Sequence, residues 1–148
     1  HAGINISGSQ GGRNEESQLP ELVAHYAGKA DGRIADASIR TWLTRHDMNT
    51  HAQRITQRRA IAELQSRAPG FTSSAVKLTN ALNIQDGDEL LMTAMGNSAY
   101  HWDTDSGASA KEVAAVKKWL YQKSLTIAGG TKEVQLNIIA KRVLGLPD

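Results

Sequence analysis

Apolar residues recur at helical spacing along most of the chain. A short apolar face predicts a first helix over residues 19–27, ended by Gly28. The next proline-free stretch continues the helical spacing and predicts one long helix over residues 31–66. The pattern leaves open whether this helix bends near residues 47–50.

The middle of the chain predicts a second long helix. The Ala-Pro-Gly segment at 68–70 ends the first one, because proline disfavours helical geometry in the residue before it. Helical spacing then resumes over residues 72–95. Polar residues at 85–88 interrupt this spacing, and the pattern alone leaves open whether the helix breaks there. Residues 96–107 are predicted to form a loop.

Two helix starts can be identified near the C-terminus. Ser109 followed by Glu112 is a capping-box pattern, which predicts a helix over residues 109–126. Two glycines then break the apolar pattern, and Thr131 can cap a last helix that continues to Gly145. With no convincing strand and no internal repeat, the fold class is predicted as all-α, an antiparallel helical bundle.

Length and composition favour one domain with a leader. The 148 residues suit a single core, while residues 1–18 are rich in Gly, Ser, Asn and Gln and cannot repay the entropy of ordering. We therefore expect a flexible leader over 1–18 and a helical domain over 19–148.

Charge and cysteine content exclude several function classes. The 17 Lys and Arg nearly balance the 15 Asp and Glu, and there is no cysteine. Nucleic-acid and membrane partners are therefore not expected, nor are thiolate chemistry or disulfides. No apolar run is long enough to span a bilayer. We expect a soluble, cytoplasmic protein.

The common phosphate and metal motifs are not matched. Neither glycine cluster, at 8–12 or at 129–130, stands between a strand and a helix as a phosphate cradle requires. His46 and His51 are five residues apart, a poor spacing for two ligands on one helical face, so no metal site is predicted. The arginines of the long helix are interspersed with carboxylates, which favours a solvated or interface face.

The Gly129-Gly130-Thr131 segment is the most informative local feature. Two glycines let a flat ligand or another backbone come close, and the helix that follows has unpaired amide donors. Taken by itself, the segment is equally compatible with a binding edge and with a plain helix break.

A longer run around this segment resembles a known family. Residues 126–135 read TIAGGTKEVQ, followed by NIIA at 137–140 and RVLGLP at 142–147. This run closely resembles the C-terminal signature of acyl-CoA dehydrogenases, and the order of the helices upstream is similar over about residues 19–148.

The resemblance implies a tetrameric FAD enzyme that desaturates an acyl-CoA thioester between its α and β carbons. In that family a glutamate takes the α proton while the β hydrogen leaves as hydride to the flavin. The family has an N-terminal helical domain, a middle β domain and a C-terminal four-helix bundle. Only the bundle is expected here, with its first long helix missing.

The resemblance also carries roles to individual residues. Thr131, Lys132 and Glu133 resemble the turn that contacts FAD, and Gly130 resembles the position beside the acyl-CoA substrate. Gly96 matches a glycine in a loop that approaches the cofactor of a neighbouring subunit, so a homo-oligomer is expected.

Some positions depart from the family pattern. Gly129 occupies the position of the glutamate base in many members, so no catalytic residue is assigned to this chain. Relatives with the same Ala-Gly-Gly-Thr form place the base on the first helix of the bundle. Thr93 and Asn97 replace a glutamine and a second glycine around the Gly96 loop, which predicts weak cofactor contacts there.

Two functional hypotheses follow from the resemblance. In the first, the chain is the C-terminal part of a catalytic dehydrogenase and is inactive alone. In the second, it is a non-catalytic assembly subunit or helical interaction module derived from that family.

Overall fold

Helices dominate the computed structural model, which describes residues 11–67, 72–105 and 107–147, with side chains from residue 18 onward. The helices within these ranges are α1 (Gly11–Ala27), α2 (Ala37–Gln65), α3 (Thr72–Met95), α4 (Ala110–Gln122) and α5 (Lys132–Ile138). Shorter elements are the strands β1 (Lys29–Ala30) and β2 (Arg33–Ile34), 3₁₀ turns at Gly96–Tyr100 and Lys123–Thr126, and a π turn at Ile139–Val143. The all-α fold class is confirmed.

The start of α1 differs from the prediction. Helix α1 begins at Gly11, eight residues before the predicted start at 19. Residues 15–18 read EESQ, in which Glu and Gln favour helix, so the helical run extends upstream of Pro20, although a proline at this position removes a backbone hydrogen bond and crowds the preceding turn. The part of the predicted leader at residues 1–10 lies outside the described residues.

The start of α2 was also predicted wrongly, because a small hairpin takes the place of its first turns. Strands β1 and β2 pair antiparallel across Asp31 and Gly32, both of which have positive φ, 50° and 73°. Positive φ at both central residues is the geometry of the type I′ turn, for which Asp-Gly is a preferred sequence. The Asp31-Gly32 turn signal is present in the sequence, but the prediction was based only on the helical spacing around it.

A capping residue then starts α2. The Asp36 carboxylate accepts hydrogen bonds from the backbone N–H groups of Ser38, at 2.7 Å, and Ile39, at 3.1 Å. The Arg40 guanidinium donates back to the carbonyls of Ile34 and Ala35. These contacts fix the angle at which the hairpin enters the helix.

Helix α3 runs without a break across residues 85–88, which settles the question that the sequence left open. Asp86 accepts hydrogen bonds from the indole N–H of Trp42 and pairs with Nδ1 of His46, both at 2.8 Å. His46 is 6% exposed. The interruption in the apolar pattern is therefore a polar contact between α2 and α3 rather than a helix end.

Among the described residues, the apolar core forms two neighbouring clusters on α3. The first joins α1, α2 and α3 through Val23, Ile39, Leu90 and Ala94. The second joins α3 and α4 through the buried residues Met92, Met95 and Val116. Contacts between the helices show that α2 and α4 each run antiparallel to α3. Apolar contacts show that α1 runs parallel to α3.

A carboxylate on α2 caps the first turn of α3. Glu63 accepts from the backbone N–H of Thr72 at 3.2 Å and from its hydroxyl at 2.6 Å. These hydrogen bonds, the one from the hydroxyl first, lower the pKa of Glu63. The end of α2 thus supplies an acceptor to the first turn of α3, which otherwise has unpaired donors.

The predicted cap of α4 is confirmed. Ser109 accepts from the backbone N–H of Glu112, and the Glu112 carboxylate accepts from the backbone N–H of Ser109. None of the helices in the described ranges is both long and apolar enough to cross a membrane.

We predict that Gly87→Ala destabilises the protein. Alanine is normally better than glycine inside a helix by about 1 kcal/mol. Here its Cβ would lie 2.9 Å from Cε1 of the buried His46 ring, and overpacking of this kind costs about 1–3 kcal/mol. Urea unfolding should show a net loss of about 1 kcal/mol.

The control is the Gly87→Ala substitution in a variant that lacks the His46 ring. In a His46→Ala background, Gly87→Ala should become neutral or stabilising, because only the helix propensity remains. A stabilising effect of Gly87→Ala in the wild-type background would contradict the predicted contact.

We also predict that Glu63 contributes to acid sensitivity. A carboxyl whose folded pKa lies below its ordinary value of 4.5 stabilises the fold above that pH and loses this contribution as pH falls through the folded pKa. Glu63→Gln should therefore flatten the fall in unfolding free energy between about pH 5 and about pH 3.

Glu21→Gln provides the comparison for this pH series. Glu21 is exposed on α1 and has no hydrogen-bond partner among the described residues. Its variant should follow the wild-type curve. Parallel curves for wild type and Glu63→Gln would contradict the assigned role of Glu63.

Candidate functional site

The segment singled out by the sequence is a tight turn between the 3₁₀ turn at Lys123–Thr126 and helix α5. Gly129 and Gly130 have φ of 69° and 101°, a region that favours glycine. A Cβ on Gly130 would lie 2.9 Å from Nε2 of Gln135. The backbone angle of Gly130 therefore favours glycine, and a side chain at this position would have to displace the Gln135 amide.

Two side chains hold the carbonyls of this glycine turn, residues 129–130. The Lys77 ammonium on α3 donates to the carbonyl of Gly130, across 53 residues of sequence. The Gln135 amide on α5 donates to the carbonyl of Gly129 at 3.3 Å. Gln135 is 8% exposed, so its polar group is committed to this contact.

Thr131 caps α5 as predicted. Its hydroxyl oxygen accepts from the backbone N–H of Val134 at 3.3 Å. Lys132 and Glu133 follow in the first turn with exposed side chains. The Glu133 carboxylate accepts from its own backbone N–H and from Thr131, which lowers its pKa and keeps it ionised at neutral pH.

The glycine turn leaves two backbone donors available. In a trans peptide the N–H points opposite to the C=O, so fixing the carbonyls of Gly129 and Gly130 turns the N–H groups of Gly130 and Thr131 the other way. Within the described ranges no acceptor contacts either N–H. The turn therefore offers two fixed hydrogen-bond donors to a ligand.

A shallow groove borders the turn. Its apolar lining comes from Val76, Ala81, Leu125 and Ala128, and its polar lining from Gln57, Lys77 and Asn80. An apolar groove with a few polar groups beside it is the common form of a small-molecule site.

Gln85 positions the segment that leads into the turn. Its side-chain amide donates to the carbonyl of Gln122 at 2.9 Å and lies 3.3 Å from both the carbonyl of Lys123 and the hydroxyl of Thr126. Lys123 also forms an ion pair with Glu89 on α3. The end of α4 is thus fixed to α3 by two polar side chains.

Gly96 lies far from the glycine turn. It follows the last residue of α3 with φ of 55°, is exposed, and has open space around it. Lys77 marks the other end of α3, and a helix rise of 1.5 Å per residue separates the two by about 28 Å. One chain therefore does not bring Gly96 together with Thr131. The neighbouring Thr93 and Asn97 are exposed.

Sequence reasoning missed Lys77, Gln85 and Gln135. Their partners are backbone carbonyls, which carry no sequence signal. A lysine flanked by Val76 and Leu78 was the one visible sign that a charge is placed among apolar neighbours. His46, considered above as a metal ligand, pairs with Asp86 instead, and the described residues contain no group of three metal-ligating side chains.

Comparisons with known proteins identify relatives of the chain. The model of the acyl-CoA dehydrogenase C-terminal domain matches residues 15–144. The acyl-CoA dehydrogenase FadE34 of Mycobacterium tuberculosis is 37% identical over 91 residues, which cover 60% of this chain and 11% of that protein. The acyl-CoA dehydrogenase IpdE1 of Mycolicibacterium smegmatis is 27% identical over 133 residues, covering 90% of this chain and 30% of that protein.

The matches cover most of this chain but only a small part of each relative. The chain spans less than a third of the length of either relative. No solved structure matches it with significance.

We predict that Gly130→Ala destabilises the turn more than the same change at Gly107. Both glycines have positive φ, 101° and 86°, where a side chain costs about 1–2 kcal/mol. Only at Gly130 would the new Cβ also meet Gln135, whereas nothing lies within 4 Å at Gly107. Urea unfolding should show an excess loss of about 1 kcal/mol or more at Gly130.

A second substitution tests the cause of that excess. Removing the Gln135 side chain in a Gln135→Ala background should make the two glycine substitutions equally costly. Equal losses of unfolding free energy for Gly130→Ala and Gly107→Ala in the wild-type background would mean that the Gln135 side chain moves aside.

Proposed function

The chain belongs to the acyl-CoA dehydrogenase family, whose C-terminal domain it carries, and we propose that it supplies one edge of an FAD and acyl-CoA site. The observation that supports this proposal most strongly is the glycine turn, in which both carbonyls are held and both N–H groups point away from the side chains that hold them. The proposed reaction of the whole enzyme is α,β-desaturation of an acyl-CoA thioester.

The residues around the turn suit the chemistry of FAD. Lys132 offers an exposed ammonium and Glu133 an ionised carboxylate, while the Thr131 hydroxyl caps α5 and donates to the Glu133 carboxylate, which it helps to orient. FAD presents anionic, hydroxyl and ring N–H groups that pair with this set. We assign Thr131, Lys132 and Glu133 to cofactor binding. When bound, FAD would supply the hydride acceptor for the β carbon.

Gly130 is assigned to the substrate side. Its N–H points away from the Gln135 amide that holds the preceding carbonyl. A donor aimed at a thioester carbonyl stabilises the charge that develops there when the α proton leaves. The absence of a side chain lets the thioester approach the backbone.

No base is assigned to the turn. Gly129 has no proton-accepting side chain, so the α proton must be taken by a residue outside this segment. We infer that the chain by itself does not oxidise substrate and that the catalytic glutamate stands elsewhere in the assembled enzyme. The short share of each relative that the chain covers agrees with this.

Assembly into a homo-oligomer is part of the proposal. Gly96 and the glycine turn lie at opposite ends of α3, so a site using both needs two subunits. Large apolar side chains are also exposed, with Met48 at 68% and Ile55 at 54% on the face of α2 opposite α3. Exposed apolar residues of this kind mark surfaces that associate.

We predict that FAD binds the purified chain weakly and that an acyl-CoA does not bleach it. In a flavin absorbance and fluorescence titration, Lys132→Ala should weaken binding by about ten-fold, the cost of one lost charge-assisted hydrogen bond. Thr131→Val should also weaken binding, because it removes the hydroxyl that caps α5 and orients Glu133. Lys111→Ala, which alters an exposed lysine on α4, is the matched control.

The outcomes separate the hypotheses. Bleaching of the flavin by octanoyl-CoA would contradict the inference that the base is absent. FAD binding that ignores both turn variants would contradict the assigned site. A chain that never binds FAD but assembles into a defined oligomer would instead favour the non-catalytic assembly subunit.

A further inference from the structure

The Lys77 ammonium is placed on a backbone carbonyl rather than on a carboxylate. Within the described ranges no acidic side chain pairs with it, and it donates to the carbonyl of Gly130. Its Cε lies 3.8 Å from the place where a Cβ on Gly129 would stand, so its stem packs along the turn. The half-buried charge is therefore committed to one peptide group.

Gln135 does the same from another helix. Its buried amide donates to the carbonyl of Gly129 from the second turn of α5, while Lys77 reaches the next carbonyl from α3. Two consecutive peptide planes are thus fixed from two different helices. Because glycine has no side chain to limit rotation, these planes would otherwise be the most mobile in the segment.

A hydrogen bond to a carbonyl also changes the N–H of the same peptide. Withdrawing electron density at the oxygen polarises the whole amide, so the N–H becomes a stronger donor, and the effect is larger when the donor is charged. The Lys77 contact acts on the N–H of Thr131. The Gln135 contact acts on the N–H of Gly130.

We propose that Lys77 and Gln135 are positioning residues, which orient and polarise the two peptides of the glycine turn so that the N–H groups of Gly130 and Thr131 bind FAD or the acyl-CoA thioester. Neither side chain needs to touch the ligand. This inference rests on the proposed function for the identity of the ligand, but the restraint itself is a property of the free chain.

The first arm of the test examines the free, isotope-labelled chain by NMR. The amides of Gly130 and Thr131 should be rigid in the wild type, with order parameters of about 0.85, and should fall to about 0.6 or below in Lys77→Met. The carbonyl carbon of Gly130 should shift upfield in Lys77→Met but not in Lys77→Arg, which keeps the charged donor.

Gln135→Leu gives an independent second variant, because it should mobilise the Gly130 amide and shift the carbonyl carbon of Gly129. Lys111→Met is the neutral comparison. Circular dichroism verifies that each variant is folded. Unchanged order parameters and carbonyl shifts in folded Lys77→Met and Gln135→Leu would overturn the proposal.

The second arm adds FAD and follows the same amide resonances. Lys77→Met should weaken FAD binding by about ten-fold, and Lys77→Arg should restore most of it. If Lys77 instead touched a phosphate directly, the difference between Lys77→Met and wild type would shrink at high salt, because exposed charges are screened. If the ratio of the FAD affinities of wild type and Lys77→Met falls towards one at high salt, the positioning role is overturned.

The two arms also distinguish the proposals from each other. If FAD never perturbs these amides in the wild type while Lys77→Met still mobilises them, the positioning role stands and the proposed ligand is wrong. If FAD perturbs the wild-type amides but neither variant changes their order or shifts, the proposed function stands and the positioning role is wrong.

Discussion

Within the described part of the chain, helix α3 packs against each of the other four helices, and their placement depends on the polar side chains of α3. Asp86 holds Trp42 and His46 on α2. Gln85 and Glu89 hold the end of α4 and the turn that follows it. Lys77 holds the glycine turn before α5. Each contact reaches a partner that apolar packing alone would leave free to slide, because dispersion and burial are not directional.

This arrangement explains why polar residues interrupt the apolar pattern of α3. A buried polar group is costly unless it is hydrogen-bonded, so each must meet a partner on a neighbouring helix. Gly87 shows the same constraint in steric form, since it makes room for the His46 ring. The interruption is the place where α2 is fixed in register.

Helix α3 also contacts the glycine turn. A segment with two glycines is a poor support for a ligand unless something holds it, and here α3 and α5 each hold one carbonyl. Precise placement of donors matters for catalysis, because a fixed dipole needs no reorganisation when charge develops. The lack of a base at Gly129 makes the turn one part of a larger proposed site.

The sequence by itself determined the helices and the family. Capping residues identified the starts of α4 and α5 because Ser109, Glu112 and Thr131 act on backbone groups three residues away. The run from 126 to 147 identified the family, because its residues are contiguous in the sequence and can be recognised without the fold. Two starts were misplaced, α1 by eight residues and α2 because the turn at Asp31-Gly32 was overlooked.

Only the tertiary structure decided how the site is held. Lys77 meets a backbone carbonyl 53 residues away, and Asp86 meets partners 44 and 40 residues away. Such contacts depend on how helices align in space, and a carbonyl looks the same in every residue. The sequence therefore indicates where the glycine turn lies. Only the fold shows which side chains hold its carbonyls and in which direction its N–H groups point.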